Sequence, residues 1–547
     1  MMNSVLKIHP ADTVLVALQN LPAGSTVQYN GNGYTLTENI PAKHKFFIKD
    51  ENAGSEIIMY GVLVGKTRMA VAAGSRLTTA NVVHASTPYA YRGREFQWTP
   101  PDVSKLRHRH FMGYHRSDGR VGPANYWLFI PTVFCENRNM DVIREVLQDE
   151  LGYSVTAKYK SYTRDLIRAH QDGKDLTLPD ISLSPSGSRR PSVFKNVDGI
   201  RFLNHDGGCG GTRQDSAVLG KLLAAYANHP NVGGITLLSL GCQHLQTSDL
   251  MQDIKAANPA FDKPFYIFEQ QRSQSEEQLI AEAIRKTFEG LIRINEYERK
   301  PASPDKLCIG VKCGGSDGFS GISANPAVGY CADLLVALGG KVLLAEFPEL
   351  NGVEQELIDR AVSEPVAEKF IRLMKDYEAS ANRVGSGFDM NPSPGNIRDG
   401  LITDAMKSAG AAKKGGSSPV VDVLDYTEPA TRAGLSLVCT PGNDVEATTG
   451  QAASGATLIL FTTGLGTPTG NPAAPTIKIA TNTPLAKRMG DIIDIDTGPV
   501  IAGEKTIEEM GEEILDYCFR AASGEIIPKA VLLNQHDFIP WKRGVSL

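Results

Sequence analysis

The sequence predicts an α/β protein in which a small N-terminal all-β module precedes two α/β regions with mainly parallel sheets. Two observations carry this prediction. Short apolar stretches alternate with glycine-containing turns through residues 1–92, which is typical of a small β module. From residue 109 onward, apolar runs end in polar turns and helical patterns follow, which is the repeating unit of a parallel sheet. We therefore divide the chain into a β module (1–92), a linker (93–108), an α/β domain (109–300) and a C-terminal α/β domain (301–547).

Four cysteines stand at the ends of predicted strands. Cys135, Cys209, Cys242 and Cys313 each follow an apolar run, in a polar or glycine-rich turn that precedes a helical pattern. Ligands of parallel sheets bind outside the carboxyl ends of the strands, so these thiols lie where chemistry is expected. The other cysteines lie within apolar or helical patterns, which predicts small buried side chains.

Charge and cysteine usage exclude several classes of protein. The formal net charge of -5 gives no reason to expect a nucleic acid or an anionic membrane as partner. No apolar stretch approaches the ~20 residues of a membrane helix, and residues 1–10 lack the apolar core of a signal peptide. Eight cysteines in 547 residues do not make a disulfide framework. We therefore expect reduced thiols in a cytoplasmic protein.

Two helices are marked by their ends. Ser275 stands three residues before Gln278, which is the spacing of a capping box, and an apolar helical stripe follows. Asn325 is expected to cap a second helix, with Pro326 in its first position and Gly339 at its end.

A glycine-rich loop, 313–326, leads from a predicted strand to that second helix. Its glycines let main-chain N–H groups approach a ligand, and the helix start favours an anion. The hydroxyls of Ser316 and Ser320 and the carboxylate of Asp317 lie in the loop. It is predicted to bind a carboxylate or a phosphate; the alternative is a long surface loop.

Two histidines are candidate acid/base residues. His205 lies in the segment that also carries Cys209 and Arg213, and histidine is the natural general base near neutral pH. A structural hydrogen-bonding role for His205 is equally open. His44 in the β module could reach a site elsewhere, although by default it is a surface residue.

Three further polar residues lie close to predicted functional segments. Arg116 and Asp118 lie in a polar turn before the first cysteine-ended strand. Lys478 follows the hydroxyl-rich glycine loop 462–470, which is not a P-loop because the Gly-Lys-Ser/Thr ending is absent.

The longest motif in the chain is Cys-Gly-Gly-Ser-Asp at 313–317, continued by Ser-Gly-Ile-Ser-Ala-Asn-Pro at 320–326. Further motifs stand at 41–45, 60–65, 118–122, 240–242, 391–396, 416–419, 440–444 and 477–481. Together these segments resemble the altronate/galactarate dehydratase family of sugar-acid hydro-lyases, over nearly the whole chain. The β module is similar to the family's SAF domain, a small β-clip fold.

The resemblance implies dehydration of an aldonic or aldaric acid to a 2-keto-3-deoxy acid. A proton α to the carboxylate is removed and the neighbouring hydroxyl is expelled. D-Altronate, giving 2-dehydro-3-deoxy-D-gluconate, is the expected substrate, with D-galactarate and sulfolactate as alternatives. The resemblance also implies a divalent metal, Fe²⁺ or alternatively Mn²⁺. We expect a small sugar acid as the ligand and a homo-oligomeric assembly.

Each candidate residue then receives a predicted role. His205 is the leading base, and His44 and Asp317 complete the catalytic set. The predicted substrate-binding residues are Arg116, Asp118, Asn125, Ser316, Ser320, Asn396 and Lys478.

Two arrangements of the metal remain open. In one, nitrogen and oxygen ligands hold a single Fe²⁺ and the cysteines are structural. In the other, Cys135, Cys209 and Cys242, with or without Cys313, hold an iron–sulfur cluster, because thiolates are the usual cluster ligands. These three cysteines are the predicted metal ligands.

Three positions depart from the family pattern. Family members often carry a basic residue where this chain has Ala124, Ile397 and Leu465, so these positions bear on how the substrate's carboxylate or hydroxyls are bound rather than on the reaction class. Arg213 and Arg398 belong to neighbouring motifs and are candidates to compensate.

Two other classes of protein compete with a hydro-lyase. A sugar-acid binding protein would bind the ligand without turnover, but the concentration of acid/base-capable residues argues against it. An oxidoreductase would need a nicotinamide site, and no good G-x-G-x-x-G stands after an early strand.

Overall fold

The computed structural model describes residues 4–93, 96–176 and 191–544, and the chain divides into two compact units. The first unit combines the residues up to Met112 with Pro301–Lys529, and the second combines Gly113–Lys300 with the residues after Lys529. The first three residues lie outside the described residues, and so do residues 94 and 95 of the predicted linker. The described residues of the linker form no helix or strand.

The N-terminal residues form the small β module that the sequence predicts. Its strands are β1 (Val5–Leu6), β2 (Val14–Ala17), β3 (Thr26–Tyr29), β4 (Asn32–Thr35), β5 (Lys45–Phe47), β6 (Glu56–Met59), β7 (Val62–Thr67) and β8 (Val82–Val83). They pair antiparallel in three small sheets, in the orders β1-β2-β5, β3-β4 and β6-β7-β8. Buried apolar side chains, including Leu15, Val27 and Phe46, form the core.

The second unit contains a parallel sheet flanked by helices. The next strands along the chain are β9 (Phe111–His115), β10 (Val121–Gly122), β11 (Tyr126–Pro131), β12 (Gly199–Phe202), β13 (Val232–Ser239) and β14 (Phe265–Glu269). The helices are α1 (Asn137–Glu150), α2 (Ala157–Gln171), α3 (Arg213–Asn228), α4 (Thr247–Ala257) and α5 (Glu276–Ile294). The sheet has the order β12-β11-β13-β14 and is parallel throughout, as predicted. Ser275 caps α5 by accepting from Gln278 N, also as predicted.

The end of the chain belongs to this second unit, whereas the sequence places it in the C-terminal domain. Phe538 is buried and packs edge-on against Tyr226 of α3, with ring centroids 5.1 Å apart. Burying such an aromatic side chain contributes about 1.5–3 kcal/mol, which accounts for the grouping of the tail with this unit.

The C-terminal α/β region of the first unit is built on a seven-stranded sheet. The remaining strands are β15 (Lys300–Ala302), β16 (Cys308–Cys313), β17 (Lys341–Leu344), β18 (Val420–Leu424), β19 (Gly434–Val438), β20 (Leu458–Thr463), β21 (Thr476–Ala480) and β22 (Ile495–Asp496). The helices are α6 (Ala324–Ala337), α7 (Glu354–Asp359), α8 (Glu364–Arg383), α9 (Pro394–Arg398), α10 (Asp404–Ala412), α11 (Asp444–Ala453), α12 (Thr483–Arg488), α13 (Gly498–Ala502), α14 (Ile507–Ala522) and α15 (Lys529–Leu532). No helix among the described residues is long and apolar enough to cross a membrane.

The strand order places β16 at the centre of this sheet. The order is β18-β19-β17-β16-β20-β21-β22, and every pair is parallel. The chain leaves β16 toward β17 on one side and later returns to β20 on the other. Such a switch point opens a crevice at the carboxyl ends of the strands, where ligands of open α/β sheets bind.

One predicted helix boundary is wrong. Helix α6 begins at Ala324, one residue before the expected N-cap Asn325. The Asn325 side chain instead donates to Gly410 O at 2.9 Å and accepts from Thr462 Oγ1 at 2.6 Å. A buried amide needs such partners, and because its side chain makes these contacts, Asn325 lies inside the first turn of α6 and does not cap the helix. The predicted helix end at Gly339 is confirmed, with φ +88 just beyond α6.

Candidate active site

The centre of the seven-stranded sheet ends in a group of charged residues. Strand β16 ends with Lys312 and Cys313, the turn after β17 carries Glu346 and Glu349, and Asp444 begins α11 after β19. All five therefore lie at the carboxyl ends of neighbouring strands, at the switch point of the sheet.

Lys312 is a fully buried ammonium group held by carboxylates. Its Nζ contacts the Glu346 carboxylate, lies 2.9 Å from Asp444 Oδ1 and donates to the Cys313 carbonyl oxygen at 2.7 Å. Burial alone would lower the pKa of Lys312, but the carboxylates of Glu346, Asp444 and Glu349 outweigh burial and hold the pKa well above its ordinary value. Lys312 therefore stays charged and ties three loops together.

Cys313 is a buried thiol between a lysine and a glutamate. Lys414 Nζ lies 2.7 Å from Cys313 Sγ and 2.9 Å from Glu346 Oε2. The thiol donates toward Glu349 Oε2 at 3.4 Å. Burial raises the pKa of the Cys313 thiol to about 11, although Lys414 acts in the opposite direction. The thiol is therefore neutral at neutral pH and is not a reactive thiolate.

Glu349 forms a second buried ion pair, with Lys407. The Lys407 Nζ lies 2.9 Å from Glu349 Oε1 and donates to Asn391 Oδ1 at 2.7 Å. Burial alone would raise the pKa of Glu349, but the neighbouring lysine ammonium groups, Lys407 first, outweigh it and lower the pKa to about 2. An ammonium group has three N–H donors, so Lys407 keeps one donor for a ligand.

The backbone at Glu346 is strained. Its φ of 73 and ψ of 60 place a glutamate in the left-handed region, which costs on the order of 1 kcal/mol or more. Its N–H donates to Thr440 Oγ1 at 2.9 Å, which helps to hold this conformation. The strain turns the Glu346 carboxylate toward both Lys312 and Lys414.

A cavity of about 280 Å³ opens beside this network. Its lining residues are Cys313, Gly314, Gly315, Ser316, Pro348, Glu349, Asn391, Ser393, Asn396, Lys407, Gly442 and Asp444. Among the lining residues that the structure describes, Lys407 carries the only positive charge. The volume lies near the lower end of the range for small-molecule sites, roughly 300–1,000 Å³. The cavity therefore suits a small polar acid with a carboxylate beside Lys407.

The β module supports the glycine-rich loop beside the cavity. Lys43 Nζ lies 3.0 Å from Asp317 Oδ2 and 3.0 Å from Asp399 Oδ1. The Lys43 carbonyl oxygen comes so close to Gly318 and Gly400 that a Cβ on either glycine would lie 2.5 Å from it. Because only glycine permits this approach, the β module fixes the position of the loop.

Asp317 and Ser320 hold the shape of this loop. The Asp317 carboxylate is fully buried and accepts from Ser320 Oγ at 3.0 Å and from Thr481 Oγ1 at 3.1 Å, in addition to its ion pair with Lys43. Neither residue is among those that line the cavity. The geometry favours a positioning role for both, and catalysis by Asp317 stays a prediction.

His44 lies next to Lys43, with one ring nitrogen unengaged. Its Nε2 lies 3.1 Å from Arg398 O, and since a carbonyl oxygen can only accept, Nε2 carries the proton. Its Nδ1 is buried and has no hydrogen-bond partner among the described residues. Burial lowers the pKa of His44, so the ring is neutral. His44 does not line the cavity, and its catalytic role stays a prediction.

His205 lies in the second unit and is fully engaged with main-chain groups. Its Nε2 lies 2.9 Å from Pro131 O, and its Nδ1 accepts from Gly207 N at 3.1 Å. Burial lowers the pKa of His205, so the ring is neutral and holds the turn after β12. The geometry favours the structural alternative, and a role for His205 as the base stays a prediction.

Arg116, Asp118 and Asn125 lie before β11, at the amino end of the second unit's sheet. Arg116 donates to Pro230 O at 2.7 Å and to Asn125 Oδ1 at 3.1 Å. Asp118 pairs with Arg120, whose Nε donates to it at 2.9 Å. Ligands of parallel sheets bind at the opposite, carboxyl edge, so these contacts favour structural roles; substrate binding by the three residues stays a prediction.

Two predicted substrate-binding residues line the cavity, and a third does not. Ser316 and Asn396 line it together, and Asn396 Nδ2 donates to Ser316 O at 2.7 Å. Lys478 is fully buried in β21, outside the lining residues. Substrate binding by Ser316 and Asn396 is therefore geometrically open, whereas Lys478 contributes to the interior of the sheet.

The sequence alone does not single out most of the charged residues in and beside the cavity. Lys312 stands at the end of an apolar run, and Glu346 stands at the end of a predicted strand. Lys407 and Lys414 lie in and just after α10, which reads as a small-residue helix. A charge at the carboxyl end of a buried parallel strand was the available signal.

The Cys313 site does not fit a divalent metal as it stands. One ligand atom from each of Cys313, Glu346 and Glu349 lies within 4.8 Å of the others, which is close enough for a shared ion. However, Lys312 and Lys414 already neutralise Glu346, and Lys407 neutralises Glu349. A cation placed here would face three ammonium groups and a protonated thiol, so we derive no step from a metal at this position.

The same network predicts a pH-dependent stability at Asp404. Burial raises the pKa of this carboxyl to about 8, and its Oδ1 has no hydrogen-bond partner among the described residues. In the unfolded chain the pKa of an aspartate carboxyl is about 3.9. The folded state therefore binds an extra proton between these pH values, and stability is lost as pH rises toward about 8.

Asp404→Asn removes this titration. We expect the variant to melt above the wild type by a margin that grows between about pH 4 and about pH 8, the range between the two pKa values. Thermal melting of both proteins across this range measures the margin. A margin that does not change with pH would contradict the prediction.

Comparison with known proteins assigns the chain to a family. The sequence profile "Altronate/galactarate dehydratase SAF domain" matches residues 3–85. "D-galactarate dehydratase/Altronate hydrolase, second domain" matches residues 113–295, and "D-galactarate/Altronate dehydratase, C-terminal" matches residues 304–546. The chain thus carries all three modules in order.

Full-length relatives agree with this assignment. An altronate dehydratase of Escherichia coli (strain K12) is 32% identical over 547 residues, 99% of each chain. An altronate dehydratase of Bacillus subtilis (strain 168) is 31% identical over 552 residues, 100% of each chain. A galactarate dehydratase (L-threo-forming) of Escherichia coli (strain K12) is 32% identical over 526 residues, 95% of this chain and 93% of its own.

The fold and these matches define a hydro-lyase with an N-terminal SAF domain. The chain belongs to the D-galactarate/altronate dehydratase family. The predicted family and enzyme class are confirmed.

Proposed function

We propose that this chain dehydrates D-altronate to 2-dehydro-3-deoxy-D-gluconate in the cavity beside Cys313. The observation that carries the proposal is the Lys407–Glu349 pair, which places one cation and one carboxylate on the cavity wall. Dehydration needs a base for the α-proton and a positive charge where negative charge develops on the substrate carboxylate. This pair supplies both.

The substrate carboxylate would accept from the remaining N–H of Lys407 and would share the charge of the ammonium group with Glu349. The pKa of Glu349 is held at about 2 because burial is outweighed by its lysine neighbours, Lys407 first. When Lys407 turns to the substrate, Glu349 loses part of that stabilisation and becomes a stronger base. Glu349 then takes the α-proton, a double bond forms between the α- and β-carbons, and the C–O bond to the β-hydroxyl breaks. Glu349 returns the proton to the departing hydroxyl, which leaves as water.

The charge of the cavity favours an acid with one carboxylate. D-Altronate carries one and D-galactarate carries two, whereas Lys407 is the single cation among the described lining residues. Two of the positions at which family members often carry a basic residue adjoin the cavity. Leu465 lies against Gly315, whose Cβ would come 3.2 Å from the Leu465 Cβ, and Ile397 follows Asn396. An apolar side chain at each position weakens the case for a second carboxylate.

D-Galactarate remains the second candidate, because the galactarate dehydratase is as similar to this chain as the altronate dehydratases are.

All eight cysteines are free thiols. This supports a reaction in the reducing cytoplasm.

The test is turnover of three acids under anaerobic conditions with added Fe²⁺. D-Altronate, D-galactarate and sulfolactate are each incubated with the protein, and the 2-keto product is measured. We expect product from D-altronate at a kcat/KM at least about tenfold above that for D-galactarate, since each lost charge contact is worth about 1.4 kcal/mol or more.

Each other outcome has a defined meaning. Preference for D-galactarate would overturn the one-carboxylate argument while keeping the family reaction. Turnover of sulfolactate alone would replace loss of water by loss of sulfite. Binding of an acid without turnover of any would favour a binding protein over an enzyme.

A further inference from the structure

The three cysteines of the second unit follow three adjacent strands of one parallel sheet. Strand β11 lies between β12 and β13, so the turns that carry Cys135, Cys209 and Cys242 leave the same edge of the sheet. That edge is the carboxyl end, where ligands of such sheets bind. These are all the cysteines that the unit contains.

Main-chain contacts hold the three turns together. Phe134 N donates to Gly207 O at 3.0 Å, and His244 N donates to Gly208 O at 3.3 Å. Each bond joins residues within two positions of a cysteine, so the turn after β12 links the other two. Gly208 has φ +97, and a Cβ there would lie 2.2 Å from Thr132 O. Only glycine allows the turns to approach this closely.

The three thiols differ in exposure from the other cysteines of the chain. The five cysteines of the first unit are buried, whereas these three are exposed. Free cysteine is among the most buried residue types, so three neighbouring exposed thiols call for a ligand.

The donor set of this site consists of three thiols. A structural site for a single tetrahedral ion takes four protein ligands, whereas thiolates are the usual protein ligands of iron–sulfur clusters. Helices α1, α3 and α4 also begin just after the three cysteines, which favours an anionic centre.

We propose that the second unit binds an iron–sulfur cluster through the thiolates of Cys135, Cys209 and Cys242. On binding, each thiol releases its proton to solvent and its sulfur forms one bond to iron; ferrous iron, ferric iron and sulfide are the other reactants, so that the mixed-valence core forms without a further oxidant. In a cluster of four irons the fourth carries no protein thiolate and can accept an oxygen ligand. The proposal stands on these three turns and does not depend on the sugar acid that the enzyme dehydrates.

The test is reconstitution of the full chain with ferrous iron, ferric iron and sulfide under anaerobic conditions, with the thiols reduced beforehand. Iron and acid-labile sulfide are then measured per chain after desalting, together with the visible absorbance of sulfide-to-iron charge transfer. The same measurements are made on Cys135→Ser, Cys209→Ser and Cys242→Ser. Cys308→Ala, a buried cysteine of the first unit, is the matched control. Circular dichroism confirms that each variant is folded.

We expect iron and sulfide in equal amounts in the wild type and in Cys308→Ala, and a loss of both to background in each serine variant. Iron without sulfide would overturn the cluster in favour of a single ion. Sulfide that persists in folded serine variants, or no sulfide in the reconstituted wild type, would overturn the assignment of these cysteines. None of these readouts depends on turnover, so the result is independent of the proposed function.

Discussion

Lys407→Met is expected to lower kcat/KM for the preferred sugar acid by about a hundredfold to a thousandfold. This is the usual cost of removing one group that stabilises developing negative charge. Lys407 is the single cation among the described lining residues of the cavity, and its Nζ lies 2.9 Å from Glu349. Steady-state kinetics of the purified variant measures the loss. A fall in kcat as well as a rise in KM would show that the lysine acts in the transition state.

The matched control for this variant is Lys413→Met. Lys413 follows the same helix, α10, but its Nζ lies 3.6 Å from Glu356 and it does not line the cavity. We expect the control to keep the activity of the wild type. Equal kcat/KM values for the two methionine variants would contradict the role of Lys407. Thermal melting of both proteins separates a loss of catalysis from a loss of fold.

Lys312→Met is expected to lower the free energy of unfolding by about 3–5 kcal/mol, as is usual when one partner of a buried ion pair is removed. The ammonium of Lys312 is fully buried and contacts Glu346 and Asp444. Without it, Lys414 is the only ion-pair partner of the buried Glu346 carboxylate among the residues that the structure describes. The measurement is the change in Tm and in the denaturant midpoint.

Lys505→Met provides the control for this stability effect. The Lys505–Glu513 pair is exposed, with Nζ 2.6 Å from Glu513 Oε1. Exposed ion pairs contribute about 0–1 kcal/mol, so the control should melt close to the wild type. Similar melting shifts in the two variants would contradict a structural role for the Lys312 network. Adding Glu346→Gln to Lys312→Met should recover part of the loss, because it removes the uncompensated charge.

The fold could be predicted from the sequence because its sheets are parallel and buried on both faces. Such strands read as continuous apolar runs, and β11, β13 and β16 all do so. Boundaries that depend on tertiary contacts could not be predicted in this way. The local sequence around Asn325 is typical of an N-cap, but the Asn325 side chain is hydrogen-bonded to α10 and β20 instead. Likewise, nothing local assigns Phe538 to the second unit.

The candidate site was predictable only in part, for a related reason. The loop 313–326 carries a contiguous motif, so Cys313 and Ser316 could be placed near a ligand from the sequence. Lys407 lies 58 residues from Glu349, and the pair forms only because α10 packs beside the turn after β17. His205 had suitable chemistry but its nitrogens serve the main chain. Residue type indicates what a group can do, whereas packing decides which groups meet.

The most direct test of the central claim is a crystal structure of Glu349→Gln with the preferred sugar acid bound. This variant keeps the cavity but lacks the carboxylate that we assign as the base. We expect the acid in the cavity lined by Ser316, Asn391 and Asn396, with its carboxylate on Lys407 and its α-hydrogen facing residue 349. An acid bound elsewhere, or with its carboxylate away from Lys407, would contradict the assignment of this cavity as the active site.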